Sequence, residues 1–228
     1  ARERGVTNVE LVEADLLDAA RLPAAPGGFD VIHASGVIHH LSEPGRGIRV
    51  LAERLAPGGA LVLMVYGTHG RRPVTRLAGA LDLLWPDRTD FDARRAIARV
   101  LLEALGPCAI NVPPFNDTNR LPDSELVDRY LHAHARTYTV EELVALLDSA
   151  GLRFVRWIEP RAWSIERLVA TGPALELLRA LPERRRDEVL DLLVDHPALE
   201  LVACRAADVP RAAPTDDVRL LRATVDWN

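Results

Sequence analysis

The chain has 228 residues, 48% hydrophobic and 27% charged, enough apolar material for a real core in one domain that carries an insertion or two. Its formal net charge is -5 and every basic residue is arginine, a balance that shows no general attraction to nucleic acid or to an anionic membrane. No apolar run approaches bilayer length, no leader pattern is visible, and Cys108 and Cys204 lie far apart without C-x-x-C spacing; neither a disulfide framework nor a zinc site is indicated, and a reducing, cytoplasmic setting is expected.

In chain order, the first predicted strand runs through Val9, Leu11, Val12 and Ala14 into Asp15-Leu16, before a polar connection containing proline. The second covers residues 30–34, a short apolar run with β-branched residues between Gly27-Gly28 and Ser35-Gly36, as in a strand buried on both faces. Ile48, Leu51 and Leu55 then recur at helical spacing; Ser42 or Glu43 can cap this helix, Pro44 suits its first position, and Pro57-Gly58-Gly59 ends it. Residues 61–65 form a further buried strand. Strands joined by a helical crossover lie parallel with a right-handed connection, so Ser35-Gly36 and Tyr66-Gly67 reach the same sheet edge. A parallel first strand would add Asp15 to that edge. Ligands of open α/β sheets bind outside the carboxyl ends of the strands, which groups Asp15, Leu16, Ser35, Gly36 and Tyr66 as one candidate site.

After Gly67 come GTHGRRP, helical patterns over residues 75–84 and 93–105, a polar, proline-rich stretch at 106–122 and another helix at 124–132. An insertion at this edge reads either as a lid over a substrate or as an oligomerisation surface. Thr139 to Glu142 spell a capping box that opens a helix ending at Gly151. A strand over 153–158, a helical stretch over 163–194 and a strand over 199–204 follow. Arg184, Arg185 and Arg186, flanked by acidic residues, read as a solvated helix face. The tail ends in VRLLRATVDWN, a short strand or docking segment. The expected division is a partial Rossmann-like core at 1–66, a helical insertion or lid at 67–136, a return to the core at 137–206 and a tail at 207–228.

Three segments, VEADLLD (12–18), FDVIHASGVIHHL (29–41) and LAPGGALVLMVYG (55–67), resemble in order and spacing successive motifs of class I S-adenosylmethionine-dependent methyltransferases. The resemblance implies an α/β fold with a Rossmann-like, mostly parallel sheet and S-adenosylmethionine as cofactor. It also implies that Asp15 hydrogen-bonds the adenine amino group, that Leu16 packs on the ring, and that Ser35 and Gly36 pass the methionine portion. The family opens with a strand and Gly-rich loop and then a second strand ending in an acidic residue; neither has a counterpart here. Gly45-x-Gly47 lies at a helix start and Gly67 follows the fifth strand. The expectation is an N-terminally truncated piece of a longer enzyme, lacking two strands and inactive as a fragment.

The sulfonium cofactor is an activated methyl donor, so the protein mainly positions donor and acceptor. If the acceptor must lose a proton, His40, His69 and Tyr66 are the weak candidates for a catalytic role; Tyr66 reads equally as part of the core edge. Of His39 and His40, one would line the pocket and the other face the helix. The histidines lack metal-ligand spacing, and no metal is expected. The expected partner is a small-molecule methyl acceptor, with no nucleic acid and no membrane. Two other readings compete: a catalytically inactive methyltransferase-like binding or structural domain, and an NAD-dependent dehydrogenase, which shares the fold but needs the same missing loop.

Overall fold

The computed structural model describes residues 8–105, 122–132, 134–208 and 220–223. The apolar run expected as a strand is β1 (Phe29–Ser35), with Ile32 and Ala34 completely buried. Helix α1 (Pro44–Arg54) starts with proline in its first turn, where a missing N–H costs nothing. No side chain caps it: Glu43 holds the N-cap position without a cap bond, so neither Ser42 nor Glu43 plays the expected part.

The chain passes from α1 directly into β2 (Leu55–Tyr66), which begins earlier than the apolar run suggested. Phe29 pairs with Leu55 and Val31 with Ala60, so β2 advances further than β1 and Pro57-Gly58-Gly59 bulge from the parallel ladder. Gly59 is required there by close approach, since a Cβ would sit 2.8 Å from the Phe29 carbonyl oxygen.

Beyond β2 the chain forms α2 (Thr68–Leu84) and α3 (Phe91–Ala104), then α4 (Asp123–Leu126), which runs into a π-turn at Val127–Leu131. Val74, Leu77, Leu81, Ala98, Leu102, Leu126, Tyr130 and Leu131 give this block its own apolar cluster. Helix α5 (Val140–Ser149) carries the full capping box: Thr139 Oγ1 accepts from the Glu142 N–H at 3.2 Å, and Glu142 Oε2 accepts from the Thr139 N–H at 2.8 Å. Strand β3 (Leu152–Trp157), helices α6 (Pro173–Ala180) and α7 (Glu183–Leu193) and strand β4 (Ala198–Arg205) follow. Arg184 and Arg185 pair with Glu188 on α7.

The sheet order is β3-β4-β2-β1-β5, with β5 at Leu220–Ala223. The pairings β1–β2 and β1–β5 are parallel, whereas β2–β4 and β3–β4 are antiparallel. Four of the five strands run in one direction, so the expectation of a mostly parallel sheet is corrected only in part: the reversed strand, β4, lies between β3 and β2 and makes both of its ladders antiparallel. The fold is nonetheless Rossmann-like α/β.

A second correction concerns residues 9–14, which form no ladder and leave Val9, Leu11 and Val12 exposed. A strand needs a partner for its backbone groups, and the outer edge of β1 is taken by β5, with Val31 opposite Leu220 and Ala34 opposite Ala223. The main core lies between the sheet and the packed pair α1 and α5, through Ile48, Leu51, Leu143 and Leu147 against Leu61, Leu63 and Leu201. Among the described residues no helix is long and apolar enough to cross a membrane. Cys204 is buried, and Cys108 lies outside the described residues.

Candidate active site

β1 and β2 end side by side, with Ser35 opposite Met64 and Tyr66 closing β2. The chain then turns at Gly36, whose φ of 75° is the left-handed region that glycine adopts without strain, and whose N–H donates to the Met64 carbonyl. Among the described residues a Cβ at Gly36 would meet only Met64 Cε, at 3.8 Å, so within 4 Å the surface over this turn is clear of their other atoms.

The short turn Ile38–His40 follows and is wholly buried. The His39 ring stacks on Tyr66 with centroids 3.7 Å apart, and the Arg71 guanidinium carbon lies 3.4 Å from the centroid of the same ring. Two groups at such distances need opposite faces, so Tyr66 is clamped between an imidazole and a cation. His40 meets Tyr66 edge-on and lies 4.0 Å from the His132 ring.

Asp128 enters this aromatic group from the π-turn. The Tyr66 hydroxyl donates to Asp128 Oδ2 at 3.2 Å, and His40 Nε2 lies 3.4 Å from Oδ1. The other ring nitrogen of His40, Nδ1, is 3.2 Å from the His134 carbonyl oxygen.

The environment sets the charges. Burial, reinforced by His40 and Arg71, pushes the His39 imidazole down to about 3, so it is neutral; neither of its nitrogens has a hydrogen-bond partner among the described residues. Burial lifts the Tyr66 hydroxyl to about 12, so it remains a donor. Burial also works against a charge on Asp128, but the hydrogen bonds from His40 and Tyr66 and the nearby Arg71 outweigh it and hold the carboxyl below its ordinary value. Burial, with His40 next, lowers His132 to about 4. His39, His132 and Tyr66, all neutral, thus lie around one ionised carboxylate.

The other candidate residues divide. Asp15 is exposed, and its carboxylate accepts from the Leu17 N–H at 2.8 Å, closing a local turn. Leu16 is buried; a Cβ on Gly47 would touch Leu16 Cδ2 at 3.7 Å and Ile38 Cδ1 at 3.4 Å, which puts Leu16 beside the turn after β1 although no strand leads to it. Ser35 is exposed at the edge.

His69 belongs elsewhere. Its Nε2 lies 3.8 Å from Asp191 Oδ2 on α7, next to a stack in which Trp163 lies between Trp157 and His196. Two site residues escaped the sequence: Asp128 and Arg71. Asp128 reads as one acidic position on a solvated helix, Arg71 as part of an Arg-Arg-Pro punctuation, and neither has a local signal.

With this geometry in place, comparison with known proteins is decisive. Residues 1–61 match the family described as a methyltransferase domain. An uncharacterised protein of Synechococcus sp. is 30% identical over 198 residues, which is 81% of this chain and 45% of that protein. The tRNA U34 carboxymethyltransferase of Desulfotalea psychrophila is 36% identical over 85 residues, 37% of this chain and 23% of that enzyme. PKMT2 from Rickettsia typhi, solved in complex with AdoHcy, has the same fold, with a TM-score of 0.66 at 20% identity over 90% of this chain and 40% of that one.

These matches support a class I S-adenosylmethionine-dependent methyltransferase. The chain spans less than half the length of each of these relatives, and the cofactor of the class is S-adenosylmethionine. One expectation is overturned. A small-molecule acceptor with no nucleic-acid partner does not fit a methyltransferase chain that has a tRNA-modifying relative. A net charge sums the whole surface and so does not exclude a nucleic-acid contact confined to a few residues. At this site Arg71 and Arg136 form no ion pair with any described residue, while Arg71 covers Tyr66 and the Arg136 N–H donates to the His39 carbonyl.

Proposed function

We propose that this chain carries the methyl-transfer site of an enzyme whose acceptor is a nucleic acid of the tRNA class. The observation that carries the proposal is the placement of the Tyr66, His40 and Asp128 cluster at the carboxyl ends of β1 and β2, the edge at which open α/β sheets hold their ligands. The tRNA-modifying relative and the arginines without ion pairs support the choice of acceptor, because guanidinium groups recognise phosphate through charge and paired hydrogen bonds.

The residues present fit one flank of the cofactor. The clear surface over the Gly36 turn admits a backbone approach, exposed Ser35 offers a hydroxyl, Leu16 offers an apolar face for the adenine ring, and the exposed Asp15 carboxylate can accept from the adenine amino group. When bound, this cofactor supplies an activated methyl group on a sulfonium. The protein's part is to position the reactants and exclude water. Buried Val37, Ile38 and His39 close the floor beneath the turn, and Tyr66, clamped on both faces, fixes the position of Asp128. Arg71 and Arg136 beside the cluster take phosphates.

The test uses the full-length protein, S-adenosylhomocysteine in calorimetry, and transfer of tritiated methyl groups to total tRNA. Binding that weakens in Asp15→Ala, with label in tRNA, is the expected result. Label found only in protein overturns the acceptor; no binding of S-adenosylhomocysteine overturns the cofactor site.

A further inference from the structure

Asp128 differs from the sealed carboxylate Asp191 in being held by His40 and Tyr66 while keeping part of its side chain exposed. Its side chain is 28% exposed, whereas His40 behind it is 3% exposed. An ionised carboxylate has about four lone-pair positions. Tyr66 and His40 engage some of them from the protein side, and the remainder face the solvent flank.

His40 cannot play the substrate-facing part itself. Both of its ring nitrogens already lie against protein oxygens, on Asp128 and on the His134 backbone, so neither is open to an incoming group. The hydroxyl of Tyr66 is likewise committed to Asp128. His39 is buried completely and presents only its ring face to Tyr66. Asp128 is the one member of the cluster with both charge and an exposed flank. It also sits on a π-turn, a rare backbone form that is frequent at functional sites.

On the methyltransferase reading above, we propose that Asp128 orients the methyl acceptor by taking a hydrogen bond from a nucleobase N–H or ribose O–H, with His40 and Tyr66 as its positioning residues. A hydrogen bond to an ionised carboxylate is stronger than one between neutral groups and fixes the direction of the donor atom. The acceptor's remaining lone pair is then turned toward the Gly36 edge, where the donor methyl lies on this reading. The basic rim and the acidic centre divide the work: arginines hold phosphates, and Asp128 holds the reacting group.

The test compares Asp128→Asn and Asp128→Glu in the full-length protein, with total tRNA as acceptor, calorimetry with S-adenosylhomocysteine, and anisotropy of labelled tRNA. For Asp128→Asn, which keeps the shape, the expected result is a kcat lower by about 100-fold with S-adenosylhomocysteine affinity within about threefold of wild type, as expected when positioning alone is lost. Asp128→Glu restores the charge and recovers about tenfold of that loss. His40→Gln lowers kcat alone but adds little on top of Asp128→Asn, because the two act as one unit.

An Asp128→Asn protein with wild-type kcat overturns the proposal, as does a loss that tracks cofactor affinity or melting temperature. A wild-type protein that binds labelled tRNA and S-adenosylhomocysteine but transfers no methyl group overturns the function on which the proposal rests, and the proposal with it. An active wild type with an indifferent Asp128→Asn overturns this inference alone.

Discussion

Two histidine–aspartate pairs flank the end of β2, and they use the same two side chains differently. At His40–Asp128 the carboxylate keeps an exposed flank, takes a hydrogen bond from Tyr66 and is held ionised. At His69–Asp191 the carboxylate is 2% exposed, accepts from the Val140 N–H at 2.9 Å and is shifted upward by burial. The second carboxylate completes the start of α5 and joins α2 and α7 to the core. Burial, more than residue type, therefore separates an anchor from a site. A carboxylate enclosed on all sides holds structure together; one enclosed on one side can still meet a ligand.

The sharpest way to break this comparison is to disturb the anchor. A Cβ at Gly70 would lie 2.3 Å from the His196 carbonyl carbon and 2.4 Å from the Pro197 nitrogen, both backbone atoms. Gly70→Ala is expected to cost about 3 kcal/mol by urea unfolding, since neither element can yield. A loss below about 1 kcal/mol would mean that α2 is not seated on this segment.

Asp191→Ala comes next. It leaves the Val140 N–H without its acceptor in a buried place and should cost about 2 kcal/mol by the same measurement. The change should leave methyl transfer per folded molecule unaltered.

A third test uses pH. Burial raises Asp187 from 3.8 to about 6, although Trp157 Nε1–H donates to it. The folded protein therefore binds this proton more tightly than the unfolded chain does. Stability from this group is present below pH 3.8 and lost as pH rises to about 6, with a slope of at most about 1.4 kcal/mol per pH unit. Asp187→Asn should remove that slope from unfolding curves taken across the window.

Smaller still is the stability cost at the site itself. Asp128→Ala should lower unfolding free energy by less than about 1 kcal/mol, because a partly exposed charge pair contributes little, even though methyl transfer falls strongly. The mildest expected effect is at the rim: Arg71→Ala and Arg136→Ala should each reduce the slope of log affinity for tRNA against log salt by about 1, as phosphate contacts do.

How much could be read from the sequence follows the range of each interaction. β1, α1 and the β2 run were legible because apolar spacing, Pro44 and the glycines after the helix act within a few residues. The capping box of α5 was legible to the residue for the same reason, since both of its hydrogen bonds lie within one turn. Residues 9–14 have an equally good strand pattern and form none, because a ladder also requires a partner, and the edge of β1 is paired with a segment from the far end of the chain. His40 and His69 looked alike as candidate bases. Only the folded chain gives each its own aspartate, 88 residues away for His40 and 122 for His69.

By itself the sequence determined the fold class, through local periodicity and turn chemistry, and by resemblance it gave the methyltransferase motifs and the sheet edge on which the proposed site rests. The tertiary structure alone decided that β4 reverses two ladders, that Tyr66 is clamped between His39 and Arg71, and that Asp128 is exposed on one flank while Asp191 is sealed. Burial, ladder partners and charge neighbours are set by residues distant in the chain, so they come into being only when the chain folds.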